Sequence, residues 1–499
     1  MRVSVKAGAP EESKAALLAI AMGAGGGTVR RSTPNSLARL DRLLKGEIGR
    51  LLATRDFTGA QDETALFYPA NGPKRVLLVG LGERDPIDGN AVRQAAALAA
   101  RRATEVGARS LGFYLTPESA DLDAELVARV VAEGAGQGSW TYEHLRSKRE
   151  SKGDLNSVTI VTTRDQRLAA QRGRRVGAAV AAGQAFARDL QMHPGNECPP
   201  SELARQAQEL GKRHGFKVTV KGKRQIENEG MNALLAVAQG SAQEPRFITL
   251  EYRGRGRSKA ICLVGKGVTF DSGGISLKPA LNMEEMKYDM SGAGAVLGTF
   301  ECLGHLRPNI NVVGLIPATE NLPSATAVKP GDVVRTHSGK TVEIINTDAE
   351  GRLILCDALS YAKRFDPACI IDLATLTGAI VIALGDQATG LMGNDPALLQ
   401  EIRDAGDLAG EPCWELPLWD GYRPQIKSDI ADIKNVGGRS AGSITAGWFL
   451  KEFVDDHPWA HLDIAGTAYT DQNRPAMRRG PTGVGVRLLT QFILRRAAG

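Results

Sequence analysis

The sequence predicts an α/β protein of two domains, a smaller one at the N-terminus and a larger one built on a doubly wound sheet with helices on both faces. Three observations lead there. The chain has 499 residues, more than one ordinary hydrophobic core serves. Its composition, 42% apolar and 24% charged, is that of a globular protein, and 57 glycines suit many tight strand-to-helix turns. Short apolar runs alternate along the chain with longer segments of helical periodicity.

The elements follow in order. Residues 15–24 are apolar and preceded by Arg2 and Lys6, but Glu11, Glu12 and Lys14 intervene and no small-residue cleavage site follows. The stretch therefore reads as buried structure rather than an export signal. Residues 75–80 form a buried strand, 91–106 an Ala-rich helix, and 110–115 and 158–162 further strands. Gly80-Leu81-Gly82 opens like a dinucleotide loop, yet Asp85 stands in place of the third glycine, so a tight turn is the better reading. Nothing in the N-terminal domain, 1–165, carries a catalytic signature. A linking helix, 166–190, leads to the second domain, 191–499, and is stopped by His193-Pro194 and Pro199-Pro200 before a new helix at Ser201-Glu202. Strands are expected at 247–252, 260–264, 310–316, 341–345, 369–373 and 461–464. Helices are expected at 292–306, 352–364, 396–405, 446–454 and 485–496.

Charge and cysteine usage narrow the class. A net charge of +6 over 499 residues is a mild excess. Arg172, Arg174 and Arg175, and Arg253, Arg255 and Arg257, form basic clusters without interleaved aromatics, so a solvated surface is preferred over nucleic-acid binding. The six cysteines contain no C-x-x-C pair and several sit inside apolar runs, which fits a reducing, cytoplasmic setting. No uncharged run is long enough to span a bilayer.

Chemistry concentrates in two segments that leave expected strands, where ligands bind in open α/β sheets. Val264-Gly-Lys-Gly-Val-Thr-Phe-Asp-Ser-Gly-Gly274 presents Lys266 and Asp271; Asn346-Thr-Asp-Ala-Glu-Gly-Arg-Leu353 presents Asp348 and Glu350. Met286-Lys-Tyr-Asp-Met290 adds Asp289. In extended backbone Asp348 and Glu350 point to one face, with Gly351 turning the chain and Arg352 starting a helix. Carboxylates aimed together repel unless a cation lies between them, and four of them balance two divalent ions of the Zn²⁺, Mn²⁺ or Mg²⁺ type. Taken singly, an Asp after a strand is more often a helix cap or turn former than a ligand, with Asp348 placed to cap the helix beginning near Gly351 and Asp271-Ser-Gly-Gly to form a plain turn. The seven histidines show no H-E-x-x-H or H-x-H pairing, and no G-x-S-x-G elbow appears.

These segments resemble the leucyl (cytosol) aminopeptidase family. The octapeptide from Asn346 to Leu353 is similar to its signature in full, and the Lys266–Asp271 and Lys287-Tyr-Asp-Met290 segments resemble its metal-binding stretches. Asp372 to Ala379, Asp432 to Arg439 and Trp459 to Ala468 match further stretches, so the resemblance covers about residue 180 to the end. Met192-His-Pro-Gly-Asn196 departs from the family's Asn-x-Pro-x-Asn, a structural segment.

The resemblance implies a catalytic C-terminal domain with a mixed, mostly parallel central sheet, and two divalent ions per subunit, Mn²⁺ or Zn²⁺. One is held by Lys266, Asp271, Asp289 and Glu350, the other by Asp271, Asp348 and Glu350. A lysine ligand must be neutral, so a neighbouring dication has to depress its pKa. A bridging hydroxide attacks the peptide carbonyl while the substrate's α-amine ligates an ion, which restricts cleavage to the N-terminal residue. Lys278 donates to the oxyanion, and Arg352 holds a bicarbonate ion that serves as general base. Met286, Asn346, Thr375, Leu376, Thr377 and Gly378 bind substrate, with leucine and other apolar residues favoured. Peptides are the partners, a homohexamer of two trimers the assembly, and no membrane is involved. Two alternatives are another two-metal hydrolase, such as a phosphatase, and a DNA-binding protein with a dormant site.

Overall fold

The computed structural model describes residues 1–24, 33–83, 86–117, 121–148, 153–256 and 258–498; Asp85 and Arg257, both used above, lie outside them. The chain divides into two compact units, Met1–Ala185 with Gln472–Arg479, and Phe186–Asp471 with Gly480–Gly499.

Among the described residues, the first unit holds strands β1 (Arg2–Ala7), β2 (Leu17–Met22), β3 (Thr64–Phe67), β4 (Val76–Gly80), β5 (Ser110–Leu115) and β6 (Ser157–Thr162). Its helices are α1 (Ala38–Leu43), α2 (Glu47–Thr54), α3 (Gly89–Glu105), α4 (Ala124–Ser139) and most of α5 (Arg167–Met192). One sheet runs β1-β6-β5-β2-β4-β3, parallel except where β3 meets β4. The wholly buried β2 explains its apolar run. Leu17, Ala19 and Ala21 pack into the core on one face, and Leu18, Ile20 and Met22 into the core on the other. Sequence reading missed β1, because only Val3 of that edge strand is buried and no apolar run marks it.

The second unit adds α6 (Pro200–His214), β7 (Lys217–Lys221), α7 (Lys223–Asn228), α8 (Asn232–Ala238), β8 (Arg246–Arg253), β9 (Ile261–Gly265) and β10 (Gly267–Asp271). Then come α9 (Ser291–Leu306), β11 (Asn311–Asn321), β12 (Asp332–Arg335), β13 (Thr341–Ile344), α10 (Glu350–Ala362), β14 (Cys369–Ala374) and α11 (Gly378–Leu384). After these come β15 (Thr389–Gly393), α12 (Pro396–Ala409), β16 (Cys413–Glu415), β17 (Ile433–Lys434), α13 (Gly442–Lys451), β18 (Trp459–Asp463), the short pair β19 (Tyr469–Thr470) and β20 (Gly480–Pro481), and α14 (Val486–Ala498).

The main sheet runs β16-β15-β18-β14-β9-β11-β8-β7, with β10 beside β11. It is mixed and mostly parallel: only β15–β18, β11–β8 and β8–β7 pair antiparallel. Val312 and Ile316 of β11 enter one core, and Val313 and Leu315 the other, so helices cover both faces. Two corrections to the sequence reading bear on the site. Strand 341–345 is not part of this sheet; as β13 it pairs with β12 and β17 in a separate three-stranded sheet. The strand expected to end at residue 316 continues through Pro317 to Asn321.

Candidate active site

Lys266 is the single residue between β9 and β10. Its N–H donates to the Leu373 carbonyl (3.0 Å) and its own carbonyl accepts from Ala293 N–H (2.9 Å), which clamps the backbone between β14 and α9. The buried side chain brings Nζ to 2.7 Å from Asp289 Oδ1, 2.8 Å from Glu350 Oε1 and 3.0 Å from the Thr375 carbonyl. The channel it fills exists because residue 351 is glycine: a Cβ there would lie 2.7 Å from Lys266 Nζ.

Asp271 ends β10. Its Oδ1 accepts from Gly273 N–H (2.9 Å) and Asn321 Nδ2 (2.8 Å), while Oδ2 lies 2.8 Å from Lys278 Nζ. Gly273 and Gly274, at φ +87° and +66°, let the chain double back in a conformation side chains disfavour. The turn closes with Lys278 N–H donating to the Ser272 carbonyl (2.9 Å), and Lys278 Nζ also meets Asp348 Oδ1. Asp289 belongs to a 3-10 segment, Met283–Met290, and its Oδ1 accepts from Thr375 Oγ1 (2.7 Å).

Asp348 and Glu350 converge for a different reason from the one expected. They are not two alternate residues of an extended strand. β13 stops at Ile344, and Asn346 folds the next residues into a turn by accepting Asp348 N–H at its Oδ1 (2.8 Å). Glu350, not Arg352, then opens α10, and Asp348 does not cap it.

Two ammonium groups thus each span a pair of carboxylates: Lys266 joins Asp289 to Glu350, and Lys278 joins Asp271 to Asp348. Burial holds the Asp289, Glu350 and Asp348 carboxyls above their ordinary range, against the lowering pull of the lysines. Burial pulls the Lys266 amine down, but Asp289, Glu350 and Asp271 outweigh it and keep the amine above its usual value. Asp271, Asp348 and Glu350 offer oxygens all within 4.8 Å of one another, the hard donor set of a divalent cation. Asp289 Oδ2 and Glu350 Oε2 are buried without a hydrogen-bond partner.

Arg352 lies buried one turn into the same region. Its Nη1 donates to the Asn435 carbonyl (2.8 Å), its Nε has no partner, and burial lowers its pKa to about 10. Among the residues matched to the substrate wall, Thr375 packs on Asp289 as above. Leu376 N–H (3.1 Å) and Thr377 Oγ1 (2.6 Å) both donate to Asp463. Gly378 is exposed at the start of α11, and Met286 is half-buried in the 3-10 segment. Asn346 spends its side-chain oxygen on the turn.

Sequence reasoning missed several supports. Asn321 Nδ2 ties Asp271 to the Thr347 carbonyl (3.0 Å), and Asn435 holds the backbone of Ile345 and Asn346. A polar residue ending a buried strand was the available signal for Asn321. It also missed that His214 and His305 meet around Glu301, away from this centre.

The catalytic-domain model of the cytosol aminopeptidase family matches residues 185–490, and that family's N-terminal-domain model matches residues 27–149. A probable cytosol aminopeptidase of Geotalea uraniireducens is 49% identical over 91% of this chain and 92% of that protein. One from Roseiflexus castenholzii is 45% identical over 99% of each. Among solved structures, a mutant of tomato leucine aminopeptidase superposes with a TM-score of 0.89 at 33% identity, covering 99% of this chain and 96% of that one. The bottromycin maturation enzyme BotP in complex with Mn gives 0.85 at 35% identity, covering 97% and 100%.

Proposed function

The chain belongs to the cytosol aminopeptidase family and is a metal-dependent aminopeptidase, and from that premise we propose that it releases leucine and other apolar residues from peptide N-termini at a centre of two divalent ions. Lys266, Asp271, Asp289 and Glu350 would hold one ion, and Asp271, Asp348 and Glu350 the other. The observation that carries this reading is the pair of buried, unpartnered carboxylate oxygens, Asp289 Oδ2 and Glu350 Oε2. A buried anionic oxygen without a donor is costly, and a cation removes that cost. Manganese is favoured by the Mn complex of the neighbour BotP, with zinc the other choice of this donor set.

When bound, such ions polarise a carbonyl and make water nucleophilic at neutral pH. The chain's own groups then have distinct tasks. Lys278 extends its ammonium over Asp271 and Asp348 and donates to the oxygen that turns negative when the carbonyl is attacked. Arg352, with its unpartnered Nε, would hold a bicarbonate ion, which would supply the general base that the side chains here do not. Thr375, Leu376, Thr377 and Gly378 orient the substrate backbone at the C-terminal end of β14, Met286 lines the side-chain pocket, and Asn346 shapes the turn beneath. The assembly is a cytoplasmic homohexamer by the same reading; among the described residues no helix is long and apolar enough to cross a membrane.

The comparisons give no support to the DNA-binding alternative. Hydrolysis of leucine-p-nitroanilide and of p-nitrophenyl phosphate under added Mn²⁺ tests the reaction class. Amide turnover should dominate, and Asp348→Asn should lower it at least about tenfold with loss of bound metal. An Asp348→Asn protein with full activity would sink the assignment.

A further inference from the structure

At the far end of α9 from the catalytic lysine, three side chains converge that the reaction does not use. Glu301 and His305 are four apart on α9 and so share one face of it. His214, the last residue of α6, meets them there. Each oxygen of the Glu301 carboxylate faces a different imidazole: Oε2 lies 3.0 Å from His214 Nε2, and Oε1 lies 3.0 Å from His305 Nε2. No two of the three donor groups are more than 4.8 Å apart. Glu301 lies ten residues along α9 from Ser291, about 15 Å at 1.5 Å per residue, so the cluster is separate from the active centre.

The surroundings shape the cluster. Residue 304 is glycine, and a Cβ on it would fall 2.3 Å from His214 Cγ, so the ring lies directly on the helix backbone. His214 and Glu301 are buried while His305 is half-exposed, which leaves an approach from solvent. Arg213 Nη1, on an exposed side chain, stands 3.0 Å from Glu301 Oε2 and is the cation now paired with it. Arg307 is engaged elsewhere, on the His214 carbonyl.

We propose that His214, Glu301 and His305 form a further divalent transition-metal site, of the Zn²⁺ or Co²⁺ class, that joins the end of α6 to the end of α9. Two imidazole nitrogens and one carboxylate are three protein ligands of a tetrahedral ion whose fourth position is left to water. Bonds of about 2.1 Å set tetrahedral edges of about 3.4 Å, close to the two N···O separations already present. Binding needs His305, the half-exposed member, to close on the other two. It also needs Arg213 to swing away from Glu301, so that arginine weakens the site.

The test is anomalous diffraction at the zinc edge on crystals of the full chain equilibrated with Zn²⁺. Zinc titration of the protein in solution, with bound metal counted by mass spectrometry, accompanies it. A peak bounded by the three side chains is expected, with one zinc equivalent beyond those of the catalytic centre, and that further equivalent weakens by more than about tenfold in His305→Ala. Because His305 is half-exposed, that variant should keep its fold and its peptidase activity. Arg213→Met should bind zinc more tightly than the parent. Absence of the peak, or survival of the equivalent in His305→Ala, overturns the proposal.

Discussion

Replacing Gly351 by alanine separates the positioning of Lys266 from the stability of the fold. The added Cβ would lie 2.7 Å from both Cε and Nζ of Lys266 and 2.9 Å from Cδ. Comfortable contact begins at about 3.5 Å, so the end of the lysine must retreat by about 0.8 Å. It has no slack for this, because Nζ is already held at 2.7, 2.8 and 3.0 Å by Asp289, Glu350 and the Thr375 carbonyl. A displacement near 1 Å at a reacting centre costs up to about 100-fold, so kcat/KM should fall by about 30- to 100-fold, or about 2–3 kcal/mol of transition-state stabilisation. Stability should fall only modestly, because about 1–3 kcal/mol of overpacking against the held lysine is partly offset by helix propensity. Gly351 is the second residue of α10, its φ is not positive, and alanine in a helix is favoured over glycine by about 1 kcal/mol. Leucine-p-nitroanilide kinetics, bound-metal analysis and thermal unfolding on the same preparation read the three effects. An alanine variant with parental kcat/KM and metal content would refute the claim that this lysine is held in the catalytic centre.

Lys278→Met should lower kcat by about 10²- to 10³-fold with bound metal retained, as loss of one oxyanion donor does; steady-state kinetics beside metal analysis check it. Arg352→Met should lower activity and abolish any response to added bicarbonate, measured by titrating bicarbonate against the rate. All six cysteines are buried, and burial raises the Cys198 thiol to about 12 and Cys369 to about 11. Ellman's reagent should therefore find almost no reactive thiol in the native protein and all six after denaturation.

What was legible in the sequence followed from local rules. Strands buried on both faces announce themselves as continuous apolar runs, so β4, β5, β9 and β14 fell within a residue or so of their observed bounds. Edge strands such as β1 carry no such run. The candidate ligand residues stood out because polar side chains follow apolar segments, which costs energy unless something is bound. The geometry joining them was not. Asp348 and Glu350 looked like alternate residues of a strand, yet it is the Asn346 turn and the first turn of α10 that aim them.

The His214–Glu301–His305 cluster shows the limit more sharply. Its members lie 87 and 91 residues apart across α6 and α9, and each alone is an ordinary helix residue. Only packing of α6 on α9, made close by Gly304, brings them together. The candidate metal-binding carboxylates differ in kind, since each lies at the end of an element or in the short turn beside one, where a local signal exists. A site built at element ends can be read one segment at a time; a site built from helix faces becomes visible only once the helices are docked.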